Sequence, residues 1–194
     1  AFGLVLVSII LFVHPFLAPI RPVEGEILVI AGGLHDCALK QVKDRFQKGS
    51  YKFLVAIGDN LKIGHPLAQY KNLANWTASR LKAEGVLLKE IIQVSITFYP
   101  RKDRTYHKAL EVKKKLKEMG LTPASIDVVS LGVHARRTWI LFEKAFPSVN
   151  VGIISIQPND YDPTKWWFFS AGVRNVISET VAYLYARLIF NPPI

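Results

Sequence analysis

The sequence predicts a three-layer α/β domain with a mainly parallel sheet of five strands, preceded by one transmembrane helix. Short β-branched runs, such as the one within Glu26–Ala31, alternate with longer segments that have helical apolar spacing. Strands that alternate with helices indicate parallel pairing, with helices on both faces of the sheet. The transmembrane helix is predicted because Phe2–Leu17 is strongly apolar and carries no Asp, Glu, Lys or Arg.

The predicted elements follow one another without a linker or an internal repeat, so residues 26–194 form one predicted domain. Glycines and prolines mark where the elements end, for example Gly32-Gly33 after the first strand and Gly85 after the second helix. The predicted strands are residues 26–31, 52–57, 91–96, a run that begins at 126, and 151–156. The predicted helices are residues 36–48, 66–84, 105–119, a segment that follows Gly132, and 173–190. The strand residues expected in the core are Ile27, Val29, Val55, Val128, Val129 and Ile154.

The N-terminal segment is predicted to be a membrane anchor over residues 1–19, followed by a proline-rich linker over residues 20–25. At about 1.5 Å per residue, Phe2–Leu17 nearly crosses a hydrocarbon core of about 30 Å. Pro15, Pro19 and Pro22 are expected to end the helix and to make an extended exit. The alternatives are a cleaved secretory signal and a buried core helix. The orientation in the membrane is not readable from the sequence.

The charge balance predicts an acidic partner. The net charge is +10 at pH 7, which suits phospholipid head groups, another polyanion or an anionic small molecule. Nucleic acid is the weaker choice, because the chain has no zinc-finger spacing and no RNA-binding signature. Cys37 is the single cysteine, so an intrachain disulfide is excluded. No metal site is predicted, because the candidate ligands near His35 and Asp59 lack tight spacing.

Small, polar and basic residues follow the strands, and the carboxyl ends of parallel strands meet at one edge of a sheet. A ligand crevice is therefore predicted at that edge. Its predicted ligand-binding residues are Gly32, Gly33, Asp59, Asp103, Thr105, Ser130, Arg136 and Arg137, with Thr97 and Arg101 nearby. Paired glycines let a phosphate approach the backbone closely, although Gly32-Gly33 is not a complete dinucleotide-binding motif and can be a simple tight turn.

The stretch Ile126–Phe146 predicts the most specific part of this site, because it reads as strand, turn and helix. His134, Arg136 and Arg137 fall in the first turn of that helix, where the N–H groups and the dipole favour an anion. Two guanidiniums there predict a phosphate or carboxylate clamp that faces Gly32-Gly33, and His134 is the candidate proton-transfer residue. The alternative is that both arginines are solvated and that His134 is an ordinary turn residue. Ser130 lacks the elbow motif of a nucleophile.

The sequence resembles the SanA/YdcF/ElyC-like family of bacterial envelope domains. The similarity covers nearly all of residues 27–188. The matching pieces are Ile27–Gly33, Leu81–Val86, the Thr-x-x-x-Ala start Thr105–Ala109, the His-x-x-Arg motif within Val129–Arg137, and Trp166 or Trp167 with Arg174 and Glu179. Two positions depart from the family pattern. Gly58-Asp59 replaces a Ser-Gly-Gly-like turn, and Arg104 replaces a common Asn.

The resemblance implies a Rossmann-like domain, held at the inner membrane by an N-terminal helix and located in the periplasm. It also implies a role in handling surface polysaccharide or peptidoglycan precursors, and S-adenosylmethionine as a possible cofactor. Two hypotheses follow. In the first, the protein binds or acts on an anionic, lipid-linked glycan or a phosphorylated ligand, with Asp59 or Asp103 orienting groups. In the second, it is a non-catalytic accessory subunit of a membrane complex. An open charged crevice favours the first, and a filled crevice favours the second.

Overall fold

The computed structural model describes residues 2–62, 64–96 and 102–192, with side chains from Ile10 onward. The helices are α1 (Phe2–Leu17), α2 (Asp36–Lys48), α3 (Leu73–Ala83), α4 (Arg104–Glu118), α5 (Ala135–Ala145) and α6 (Ser170–Leu184). The strands are β1 (Ile20–Arg21), β2 (Ile27–Ile30), β3 (Phe53–Asp59), β4 (Ile91–Ile96), β5 (Ser125–Leu131) and β6 (Asn150–Ile156). Short 3-10 turns cover Gly132–His134 and Pro163–Phe168, and a π turn, Tyr185–Ile189, continues α6.

The sheet has six strands in the order β1-β6-β5-β2-β3-β4, and five of them are parallel. The predicted parallel pairing of the first and fourth core strands is confirmed, since Val29 of β2 lies opposite Val128 of β5. The prediction of five strands is wrong by one. Within the predicted linker over residues 20–25, Ile20 and Arg21 form an antiparallel edge strand against Ile154 and Ile153 of β6. The extended backbone that prolines favour is also a strand conformation, which explains the extra pairing.

Helices cover both faces of the sheet. On one face, alternate strand residues such as Val29 and Val128 pack against α4 and α5. On the other face, their neighbours, such as Leu28 and Val129, pack against α2 and α3. All six strand residues predicted to lie in the core are buried, each at most 7% exposed. The prediction of an α/β domain flanked by helices is confirmed.

The helix predicted to begin at Pro66 begins later, at Leu73. Lys71 has a φ of 66°, a left-handed conformation that no α-helix accommodates, and it separates a 3-10 turn from α3. Asn72 then caps α3, because its side chain accepts a hydrogen bond from the Asn75 N–H at 2.8 Å. The helix start therefore lies at this cap and not at the proline.

The buried carboxylate of Asp127 holds the chain that enters β2. It is fully buried, and it accepts hydrogen bonds from the N–H of Val23 at 2.8 Å and the N–H of Gly25 at 3.0 Å. The hydroxyl of Tyr51 donates a third bond to it at 2.8 Å. Burial, together with the charge of Asp127, raises the pKa of Tyr51 to about 12, so this hydroxyl stays a donor. These bonds fix the linker to the end of the sheet away from the predicted crevice.

The second half of α1 packs on the domain. Leu17 is 1% exposed and lies in a cluster with Val133, Tyr161 and Trp166, while the Trp166 indole N–H donates to the Ile10 carbonyl at 3.0 Å. The prediction that every side of this helix would face lipid or other subunits is therefore wrong for its second half. Among the described residues, no helix combines the length and the hydropathy that crossing a bilayer requires.

Candidate ligand-binding crevice

An open crevice of about 1300 Å³ lies at the carboxyl ends of β2 and β5. From β2 the chain proceeds to β3 and β4 on one side, and it returns to β5 and β6 on the other side. The loops after β2 and β5 consequently diverge in opposite directions and leave a gap between them. This is the switch point at which doubly wound sheets bind ligands. The lining lies at the edge of the sheet where the sequence predicts a crevice, and ligand binding there stays a prediction.

Gly32 and Gly33 form one wall and leave free space in front of the backbone. A Cβ at Gly32 would meet no atom within 4 Å, and one at Gly33 would meet only the Leu73 side chain at 3.6 Å. Neither glycine has a positive φ. The protein's own packing and turn geometry therefore do not demand glycine here, whereas close approach of a ligand would. Helix α2 begins at Asp36, so its positive dipole end lies on the same wall.

The turn after β5 forms the opposite wall, and its polar atoms hold the turn in place. Gly132 has a φ of 49°, and its carbonyl accepts a hydrogen bond from the Ser155 hydroxyl at 3.0 Å. Ser130 is 3% exposed, and its hydroxyl shares a hydrogen bond with that of Thr138 at 3.2 Å. Thr138 in turn donates to the His134 carbonyl at 3.0 Å. Ser130, predicted as a ligand residue, therefore supports the turn.

His134, Arg137 and Glu179 form a cluster on this wall. Arg137 donates from Nε to Glu179 Oε2 at 2.9 Å and from Nη2 to Oε1 at 3.0 Å, a bidentate pair. The Nδ1 atom of His134 lies 2.9 Å from Arg137 Nη2 and 3.1 Å from Glu179 Oε1. The three side chains are between 17% and 33% exposed. The cluster joins the start of α5 to the middle of α6.

Electrostatics keep Glu179 ionised. Burial by itself raises the pKa of this carboxyl, but the hydrogen bonds and charges of His134 and Arg137 outweigh it and lower the pKa to about 2. Nδ1 of His134 has two alternative partners. With the ring proton on Nε2 alone, Nδ1 accepts from Arg137, whereas a proton on Nδ1 makes it a donor to Glu179. A proton on His134 therefore changes the hydrogen bonding of both neighbours.

Arg136 is not among the described lining residues of the crevice, and of the two arginines in the predicted clamp only Arg137 lines it. The guanidinium of Arg136 donates to the Phe16 carbonyl and lies 4.0 Å from the centre of the Phe16 ring. Arg136 precedes Arg137 by one residue, which is about 100° around a helix, so the two side chains leave α5 in different directions. A cation at the last turn of α1 also suits the negative end of that helix dipole.

The remaining predicted residues divide between the crevice and its surroundings. Asp103 and Thr105 line it at the start of α4. Asp59 is not in the described lining; it pairs with Lys108 at 2.7 Å, and Lys108 is a lining residue. Thr97 and Arg101 lie outside the described residues. No three His, Cys, Asp or Glu side chains of the described chain are placed to hold a metal ion.

Of the acidic residues in the lining, the sequence predicted Asp103 as a ligand residue, but it gave no site role to Asp160 or Glu179. The described cationic residues of the wall are Arg104, Lys108 and Arg137, and the carboxylates are Asp36, Asp103, Asp160 and Glu179. The crevice is therefore mixed in charge rather than basic, although the whole chain has a net charge of +10. One signal pointed to Glu179: it is the single acidic residue between Lys165 and Phe190. An isolated carboxylate on a largely apolar helix usually has a partner.

Comparison with family models, with curated proteins and with solved structures finds no match for the chain.

Proposed function

We propose that the crevice binds a small phosphorylated ligand that also carries hydroxyl groups, such as a sugar phosphate or a lipid-linked glycan. The observation that carries this proposal is the free space against Gly32, directly across one crevice from the cluster of Arg137, His134 and Glu179. The open crevice favours the ligand-binding hypothesis over a crevice filled by the protein's own side chains.

The mixed lining supports this class of ligand. The N–H groups at the Gly32-Gly33 wall and at the starts of α2 and α5 suit phosphate oxygens. Carboxylates such as Asp103 and Asp160 suit sugar hydroxyls, because an ionised carboxylate only accepts hydrogen bonds. A purely basic pocket would suit inorganic polyanions instead.

Arg137 is the proposed hydrogen-bond donor to the phosphate of the ligand. Its Nε and Nη2 atoms are held by Glu179 and His134, while Nη1 meets no hydrogen-bond acceptor among the described residues. A guanidinium fixed in this way loses little side-chain entropy when it binds a ligand. His134 is the proposed proton-transfer residue, because protonation of Nδ1 is compensated by Glu179.

The proposal includes attachment to a membrane. The apolar N-terminal segment and the resemblance to envelope domains support a location at the inner membrane, with the domain in the periplasm. The exposed side of α1 is apolar, since Leu11 is 52% exposed and Phe12 is 68% exposed. Enclosure of these side chains by lipid would be favourable.

The test is calorimetric titration of the purified full chain with four probes: inorganic phosphate, a sugar nucleotide, a polyprenyl phosphate analogue and S-adenosylmethionine. Arg137→Ala is expected to weaken binding of a phosphorylated probe by about 10- to 100-fold, the cost of a hydrogen bond to a charged group. Gly32→Ala is expected to weaken binding without changing the thermal midpoint, because its Cβ enters free space.

Arg136→Ala is the matched control. It removes the neighbouring guanidinium, which lies outside the crevice, so binding should not change. If no probe binds the wild-type chain, or if binding is the same in Arg137→Ala and Gly32→Ala, the crevice is not the proposed site. If S-adenosylmethionine is the single probe that binds, the proposed ligand of the crevice becomes that cofactor and not a phosphorylated compound.

A second function, a non-catalytic accessory subunit of a membrane complex, is favoured by one observation. Large apolar side chains are exposed in the last third of the chain, among them Phe168 at 76% and Leu188 at 75%. A partner subunit would cover them. Under this hypothesis the chain copurifies with a stoichiometric membrane partner and binds none of the four probes.

A further inference from the structure

The helix α6 has two different faces. Towards the crevice it presents Asn175, Glu179, Ala182 and Ala186 of the following π turn. On its outer side lies an apolar stripe at intervals of three or four residues. The members of this stripe and their exposed fractions are Ile177 at 58%, Val181 at 63%, Leu184 at 47% and Leu188 at 75%. Residues at these intervals share one side of a helix, so the four side chains form a continuous apolar strip.

Neighbouring elements also expose large apolar side chains. Helix α1 packs beside α6, with the Phe16 and Tyr183 rings 5.4 Å apart, and it exposes Leu11 and Phe12. The turn that precedes α6 exposes Phe168. We name this surface the α6 face; it consists of the stripe together with Leu11, Phe12 and Phe168. Its seven exposed apolar side chains lie on α6 with its π turn, on α1 and on the turn before α6, which contrasts with apolar residues scattered singly over a surface.

The charges around the α6 face identify what covers it. Residues 165–190 contain three basic residues, Lys165, Arg174 and Arg187, all exposed, and one acidic residue, Glu179. Two carboxylates lie near these cations, Asp162 near Lys165 and Glu143 near Arg187, which leaves the cations in excess. Glu179 is turned inward and is neutralised by Arg137. Residues 2–20 contain no acidic residue. The surface is therefore apolar with a cationic border, which complements an anionic lipid bilayer.

We propose that the α6 face lies on the surface of a bilayer that contains anionic lipid, so that α6 separates the bilayer from the crevice. Apolar side chains enter the acyl boundary, and Phe168 lies at the interface, where aromatic rings are favoured. This orientation extends the function proposed above and rests on it in one respect, the proposed lipid-linked ligand. Such a ligand, with its tail in the bilayer, would pass only α6 to reach the crevice. A second copy of the chain is the competing occupant, but the basic border would then face its own equivalent charges.

The test places an environment-sensitive NBD label on the full chain, in a Cys37→Ser background. Val181→Cys and Leu188→Cys put the label on the α6 face, and Lys114→Cys puts it on the exposed side of α4. Each protein is mixed with phosphatidylcholine vesicles, with phosphatidylcholine–phosphatidylglycerol vesicles, or with buffer alone. Labels at positions 181 and 188 should shift to the blue with vesicles, more strongly with phosphatidylglycerol, and should be quenched by brominated lipid. The label at position 114 should do neither.

A charge variant tests the same point independently. Ile177→Asp, combined with the label at position 188, should raise the lipid concentration needed for half of the shift by about tenfold. Lys114→Asp is the control and should change the lipid concentration needed for half of the shift by less than about twofold. An unshifted label on vesicles overturns the proposal. A shift in buffer alone that grows with protein concentration also overturns it and assigns the face to a second copy. These readouts use no crevice ligand, so a failure here is distinguishable from a failure of ligand binding in the crevice.

Discussion

Neutralising Glu179 should remove a stabilising ion pair whose strength depends on pH. In Glu179→Gln the negative charge is lost and the amide oxygen can accept only one of the two hydrogen bonds from Arg137, because the amide NH2 is a donor; the side chain keeps its size. Lowering the pKa of Glu179 from its usual 4.5 to about 2 corresponds to about 3 kcal/mol, at 1.36 kcal/mol per pKa unit. Because this pKa is depressed, the stabilisation is complete above pH 4.5 and is lost as the pH falls towards 2.

The assay is urea unfolding of the wild-type and variant chains between pH 7 and pH 3. The difference in unfolding free energy should be about 3 kcal/mol at pH 7 and should narrow steadily below pH 4.5, because the protonated wild-type carboxyl then resembles the amide. Glu118→Gln is the control. Its partner Lys115 is 3.9 Å away on an exposed surface, so the change should be under about 1 kcal/mol. A Glu179→Gln difference that stays constant across this pH range would refute the electrostatic account.

Three further predictions concern the framework. Gly58→Ala should cost about 3 kcal/mol or more in urea unfolding, because its Cβ would lie 1.9 Å from a backbone nitrogen of α3, whereas Gly32→Ala should cost little. Asp127→Ala should lower the unfolding free energy by at least about 3 kcal/mol, since it leaves two N–H groups and a hydroxyl without their acceptor; a cost under 1 kcal/mol would contradict this. Arg136→Ala should expose the chain after α1 to limited proteolysis, because the guanidinium no longer holds the Phe16 carbonyl; an unchanged cleavage rate would contradict it.

The sequence predicted the strands well because burial and chain geometry act locally there. Apolar runs rich in β-branched residues, such as Ile27–Ile30, are typical of strands buried on both faces of a parallel sheet. The carboxyl-end rule then placed Gly32-Gly33 and the His134 turn together without any knowledge of side-chain contacts. The start of α3 was misplaced because a positive φ at Lys71 is not visible in its residue type. The edge strand at Ile20 was missed because two residues carry almost no periodic signal.

The site was predicted less well than the fold because ion pairing is a non-local property. Arg136 and Arg137 are identical in type and adjacent in sequence, yet one contacts α1 and the other contacts α6. The direction of each is decided by where α1 and α6 pack, which no local pattern contains. Similarly, Asp59 is the last residue of β3, at the edge where the sequence predicts it, but Lys108 of α4 neutralises it.

Glu179 physically connects the two proposals. Its carboxylate holds Arg137 from one side of α6, while the outer side of the same helix carries the apolar stripe. A phosphate that binds Arg137 Nη1 shares the guanidinium with Glu179 and so changes the strength of the bond that fixes α6 to α5. If ligand binding in the crevice changes the affinity of the α6 face for the bilayer, linkage requires that the bilayer change the affinity of the crevice for the ligand by the same factor. The ligand titration repeated with phosphatidylglycerol vesicles should therefore give a different dissociation constant in the wild-type chain. In Glu179→Gln that difference should shrink, because the charged connection between helix and crevice is gone. An equal vesicle effect in both chains would show that the two surfaces act independently.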